Sequence, residues 1–202
     1  MRKLFLIAFF QIFFISSSLA QIGLEVNHYR PTGDMGDIMK PTASFEIFYA
    51  KDFDGLFRWR AGINAVFLKT RLDTIPTYGV MYDGGVTVLP GWEVYRAYRN
   101  FTVALGGDLR FFEHDKINPY IGADLSFGYI RYILDFFTAN LAMGSDMGNL
   151  LHYGVRPRIG LEYHLTDKVV LFTQVSRNFY TVRGVGPQGY NSYGLGTRLN
   201  LW

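Results

Sequence analysis

No cysteine occurs anywhere in the 202 residues, so no disulfide can hold this fold together. Long apolar runs are equally scarce: past residue 20 no stretch approaches the ~20 apolar residues that a spanning helix requires. If such a chain enters a bilayer, it must do so as strands. An excess of one charge is missing as well. The 20 basic residues include Arg2 and Lys3; without those two, 18 stand against 17 acidic ones. With no basic run anywhere, nucleic acid is not expected as a partner.

What the first twenty residues do contain is a basic start, an apolar stretch from Leu4 to Ile15, and a small-residue end, Ser16, Ser17, Ser18, Leu19 and Ala20. This is the pattern of a secretory signal peptide over residues 1–20. Cleavage before Gln21 leaves 182 residues (202 less 20) as one domain, 21–202. Exported proteins commonly lean on disulfides, so without cysteine the stability has to come from another source, such as a closed hydrogen-bonded sheet. Aromatics at 17% and 22 glycines suit barrel walls and aromatic girdles.

The alternation is clearest from Leu151 to Tyr180. Leu151, Tyr153, Val155, Ile159, Leu161 and Tyr163 recur at every second place, with His152, Arg156, Arg158, Glu162 and His164 between them. Only a period of two sorts these residues, and after the turn Leu165 to Lys168 it resumes. Similar stretches occupy 21–30, 42–51, 56–69, 95–112, 120–129 and 189–202. Together they predict eight strands of an all-β, transmembrane, antiparallel up-and-down barrel. Recruiting the fragment 80–89 from the uncertain stretch 70–100 would make ten. Short turns (DFDG, EHDKIN, HLTDK) alternate with long connections at 31–41, 70–94, 135–150 and 183–189, which places both termini on the periplasmic side.

The two faces of these strands are unlike. One is almost purely apolar and the other carries the charge, which is the reverse of a soluble sandwich and suits lipid outside and a polar lumen inside. The stretches NPYIGADLSFGY and GLEYHLTDKV, each set against a short turn, together with the signal peptide and aromatic C-terminus, resemble the small outer-membrane β-barrels of Gram-negative bacteria, of the outer membrane protein A or W type. That resemblance implies the cell outer membrane, contact with its lipid, and handling by the barrel-assembly machinery. Trp202 is out of phase with Leu199 and Leu201, a departure from the family's terminal signal. The family's functions do not follow from its fold.

On the lumenal face Arg58, Arg60, Arg110, Arg156, Arg158 and Arg198 confront Glu25, Glu46, Asp108, Asp124 and Glu162. In an eight-stranded barrel side chains fill the interior and buried charges must pair, so a plugged charge network is expected; a small polar, porin-like channel is the alternative. Catalysis has one weak candidate set, Ser145, Asp146 and His152, in or beside one outer loop, as a lipid A-modifying enzyme would need. Their spacing matches no motif. Gly184 to Gly189 formally reads GxGxxG without a strand-to-helix context, Asp34, Asp37 and Glu46 lack calcium-loop spacing, and His28 and His114 are isolated, so neither cofactor nor metal is expected. Tyr29, Tyr49, Trp59, Tyr95, Tyr98, Tyr129, Tyr132, Tyr153, Tyr163 and Tyr193 are placed near strand ends as interfacial girdles. The expected role is a structural or accessory subunit of an outer-membrane protein complex, contacting a protein partner through its external loops or barrel wall.

Overall fold

The computed structural model describes residues 20–71, 74–82, 86–112, 116–138, 141–182 and 186–201. The segment 1–19, which holds nearly all of the expected signal peptide, lies outside the described residues, as do His114 and Trp202. Among the described residues the strands are β1 (Ala20–Thr32), β2 (Thr42–Asp54), β3 (Phe57–Leu68), β4 (Ile75–Tyr82), β5 (Val86–Arg110), β6 (Ile117–Thr138), β7 (Leu141–His164), β8 (Val169–Val182) and β9 (Gly186–Asn200), with one short helix, α1 (Asp34–Ile38).

Every pairing is antiparallel, in the order β3-β2-β1-β9-β8-β7-β6-β5, and β3 pairs back onto β5 from Phe57↔Leu109 to Leu68↔Tyr98. The ring is therefore closed by eight strands and has no edge within it. β4 is not a ninth stave. Among the described residues it pairs only with the outer part of β5, from Ile75↔Glu93 to Tyr82↔Val86, and takes over above the rim where β3 ends. The described parts of the fragment 80–89, residues 80–82 and 86–89, thus pair with each other outside the ring, which is closed by eight strands and not ten.

The connections after β2, β5 and β7 lie at one end, together with both ends of the described chain, where the Leu201 amide donates to the Ala20 carbonyl at 3.0 Å. Thr166 holds one of these turns, its Oγ1 accepting from the Val169 amide at 3.0 Å. At the opposite end β5, β6 and β7 run on for 25, 22 and 24 residues against 12 to 15 for the other strands of the ring. The expected loop at 135–150 is a correction here: β6 continues to Thr138, β7 begins at Leu141, and they pair from Thr138↔Leu141 onward. Gly144, with φ +153°, and a shift in register between Phe136 and Phe137 break the simple alternation there, which hides the strands from a period-two reading.

Within the ring the two faces separate by parity. Leu24, Ile47, Ile63, Leu125, Ile159 and Leu195 point outward and are all more than half exposed. A continuous apolar band of this kind is stable in lipid, where it need not be hidden, and in water would drive association. At the short-turn end the band is edged by Tyr49 against Trp59, ring centroids 5.3 Å apart, and by Lys116 over the Tyr163 ring. Four of the tyrosines expected in girdles are instead inward: Tyr29 and Tyr98 are buried, and Tyr95 and Tyr132 pack on the same inner cluster. Parity explains Tyr29, which alternates with His28 and shares its face with Glu25 and Asn27.

A closed barrel of this kind should keep its shape in cold detergent and lose it on heating. We expect an unboiled sample to migrate differently from a boiled one on a gel; identical migration would be incompatible with the ring.

Candidate functional site

The lumen is the chemically rich part of the molecule. Its charges form one chain in which every neighbour has the opposite sign. Arg198 donates to both oxygens of Glu162 at 2.8 and 2.9 Å. Glu162 also accepts from Arg58, which donates through Nε and Nη2 to Asp108 Oδ2 at 3.1 and 2.8 Å. Asp108 accepts from Arg158 Nε at 2.7 Å, and Arg158 reaches on to Asp124. Arg156 then joins Asp124, at 2.9 and 2.7 Å, to Glu46, at 2.6 and 2.9 Å. Arg60 closes the run by bridging Glu46 and Glu25, each at 2.7 Å.

Five arginines and five carboxylates thus alternate without a gap, drawn from β1, β2, β3, β5, β6, β7 and β9, and each is at most 4% exposed. Because the formal charges cancel, the run needs no counter-ion from solvent. Its Glu25 end is capped by neutral groups: Gln174 Nε2 donates to Glu25 Oε1 at 2.6 Å, and the Tyr120 hydroxyl donates to Gln174 Oε1 at 2.8 Å. The Arg60 guanidinium also lies 3.7 Å from the centroid of the Phe48 ring, which packs edge-on against Phe172.

Arg110 stands apart from this run, near the short-turn end. It pairs with Asp52 at 3.3 Å and donates to the Gly55 carbonyl at 2.6 Å. Asp52 is a lumenal residue that the sequence reading assigns to a turn; β2 in fact continues through it, with an irregularity between Asp52 and Asp54.

Above the charges lies a neutral polar layer. Ser176 and Ser192 hydroxyls meet at 2.7 Å, Asn178 donates to the Tyr190 hydroxyl at 2.7 Å, and His152 Nε2 lies 2.8 Å from Asn100 Oδ1. Higher still, Tyr29, Met39, Val66, Leu68, Tyr98, Ile130, Tyr180, Val182 and Tyr190 form an apolar cluster across the mouth. The segment containing α1 folds over it, placing Met35 and Ile38 on the cluster. A Met39↔Thr70 bridge and Arg71 Nε donating to the Met39 carbonyl at 3.1 Å tie that segment to the wall.

The three catalytic candidates are not brought together. His152 faces the lumen and is buried, whereas Ser145 is exposed on the outer extension of β7 and donates to Asp135 Oδ1 at 2.6 Å. Seven residues of strand, ~23 Å, separate them. Asp146 sits beside Ser145 on the same extension, at the register position opposite Leu134. Glu46 is held by Arg60 and Arg156, far from Asp34 and Asp37 on α1. Within the GxGxxG stretch, residues 184 and 185 lie outside the described residues and Gly186 to Gly189 are part of β9.

No protein-family model matches the sequence, and neither does any curated protein sequence. The fold does have counterparts among solved structures. Neisserial surface protein A superposes on 90% of this chain and 97% of its own, with a TM-score of 0.57 at 15% identity. The chain has the fold of a small outer-membrane β-barrel. Weaker likenesses to such barrels include the attachment invasion locus protein Ail of Yersinia pestis, covering 91% of this chain and 98% of its own (TM-score 0.49, 12% identity). The outer membrane protein OprG from Pseudomonas aeruginosa covers 91% and 96% (TM-score 0.46, 10% identity). At these identities the likeness speaks for the fold alone.

Two outcomes follow from this barrel's filled interior. Glu46→Leu leaves Arg60 and Arg156 short of a buried partner and should lower stability by about 3–5 kcal/mol in urea unfolding from detergent. Adding Arg156→Met should recover part of that loss. In planar bilayers the purified barrel should give no steady conductance steps, since charge network, polar layer and apolar cluster lie in series; regular openings would show that the interior yields.

Proposed function

We propose that this protein is an integral outer-membrane barrel that serves as a structural or accessory subunit of a membrane protein complex. The observation carrying this reading is the blade formed by β4, β5, β6 and β7 beyond the ring. β5 alone continues for Val86 to Ala97, ~40 Å of strand. Among the described residues the blade has two free edges: β4 pairs only with β5, and Leu141 to Leu151 of β7 pair only with β6, since β7 meets β8 first at His152↔Val182.

Free edges present unpaired amides and carbonyls, and an added strand from another chain satisfies them. The blade also carries contact groups: Trp92 stacks on Phe137 with centroids 6.3 Å apart, and Met147 is 65% exposed beside the Arg96–Asp135 ion pair. In this reading residues 1–20 are the signal peptide, both termini are periplasmic, the barrel-assembly machinery inserts the chain, and the blade faces outward. A filled lumen supports an anchor over a channel. The separation of Ser145 from His152 gives the lipid A-modifying reading no nucleophile–base pair.

Extraction of the tagged protein in mild detergent, followed by mass spectrometry of what copurifies, tests this. We expect stoichiometric protein partners, lost when residues 75–93 are replaced by a short Gly-Ser linker while heat-modifiable migration persists. A full-length barrel recovered alone, or partners retained by the linker variant, would refute it.

A further inference from the structure

The apolar outer wall is interrupted at one seam. β7 and β8 pair from His152 to Val155 and again from Arg158 to His164, but the ladder is broken at Arg156 and Pro157. Proline has no amide hydrogen to donate, and a closed ring offers no edge on which to hide one. At this break the wall opens into an outward groove of about 490 Å³, lined by Pro157, Ile159, Val175, Arg177, Asn191 and Tyr193.

The polar groups of the groove are not scattered. In the strand registers Arg177 stands opposite Asn191, and Asn191 opposite Arg30, so the three form one row across β8, β9 and β1. The next row toward the short-turn end is Val175, Tyr193 and His28, and the one below it Thr173, Leu195 and Val26. Arg30 and Arg177 are exposed, and among the described residues neither joins an ion pair. Arg177 leans toward the long-connection end, its Cζ 4.9 Å from the centroid of the Phe179 ring. Two arginines on the lipid-facing wall, on strands ~10 Å apart with Asn191 on the strand between them, have side chains long enough to converge on a phosphate, which takes more donors than a lone carboxylate.

We propose that this seam binds one phosphorylated acyl glycolipid of the lipid A class, with its phosphate between Arg177 and Arg30 over Asn191 and an acyl chain in the groove along Val175, Ile159 and Tyr193. Height selects the glycolipid. Arg177 is eight residues beyond Val169 on a tilted strand, ~20 Å up an apolar band ~25 Å tall. In the orientation proposed above, that level belongs to the outward leaflet, whose phosphates are those of lipid A. The site rests on that membrane reading but not on the blade or its partner.

The test is mass spectrometry of the detergent-purified barrel after incubation with lipid A, with dephosphorylated lipid A, or with phosphatidylglycerol. Wild type should retain one lipid A, and Arg30→Ser with Arg177→Ser should reduce retention about tenfold or more. Val175→Trp, which fills the groove and leaves both arginines, should also reduce it. Arg99 and Arg131 face each other across β5 and β6 away from this seam; changing both to serine should leave retention unchanged. Equal retention of phosphatidylglycerol or of dephosphorylated lipid A, an equal loss in the Arg99 and Arg131 variant, or no loss in either seam variant would overturn the site. Each variant is scored only on its heat-modifiable fraction. Failure of wild type itself to show such a fraction would count against the membrane reading instead.

Discussion

A charge inside a narrow barrel cannot be left to solvent, and that constraint organises the molecule. Desolvating an ion costs several kcal/mol, recovered only by close partners with their hydrogen bonds made. Eight strands enclose too little space for a water-filled pore, so each lumenal arginine is matched by carboxylates from other strands. The match is not local in sequence: Arg156 reaches Glu46 at a separation of 110 residues, and Arg58 reaches Glu162 at 104. The backbone ladder sets which strands are neighbours, while the charge chain ties strands that are not neighbours. In a chain without cysteine, these cross-lumen contacts tie distant segments together as disulfides would.

Size matters as much as sign along the lumen. Where β1 and β9 carry Gly23, Gly194 and Gly196, larger neighbours occupy the space. A Cβ on Gly194 would stand 2.1 Å from Glu25 Oε1, and one on Gly196 2.2 Å from the Phe172 ring. Small residues on one strand thus make room for a charged or aromatic side chain from the next. The interior is packed in layers, charged near the short turns, then amide and hydroxyl, then apolar under α1.

The eight staves of the ring are legible in the sequence because each shows one fate per parity, lipid or lumen, over nine or more residues. Glu25, Glu46, Arg58 and Asp124 fall on the inner parity by simple counting. Which arginine meets which carboxylate is not legible, since that depends on the stagger of strands far apart in the chain. Asp52 is hidden because DFDG has the composition of a turn, although the strand runs through it. Tyr95, Tyr98 and Tyr132 look like interfacial residues because tyrosine suits both settings, and only closure of the ring turns them inward. The blade is hidden for a different reason: the register shift between Phe136 and Phe137 and the positive φ of Gly144 break the alternation between Asp135 and Leu150.

Pro157 shows how the wall and the interior depend on each other. A proline in mid-strand should weaken the barrel where it interrupts β7 and β8, yet the residues on either side of it are Arg156 and Arg158. Both are anchored from within: Arg156 by Glu46 of β2 and Asp124 of β6, and Arg158 by Asp108 of β5 and Asp124. The carboxylates therefore hold β7 in place at the point where its ladder to β8 fails. A groove in the outer wall is compatible with a stable barrel because the strand that loses hydrogen bonds on one face is pinned by ion pairs on the other.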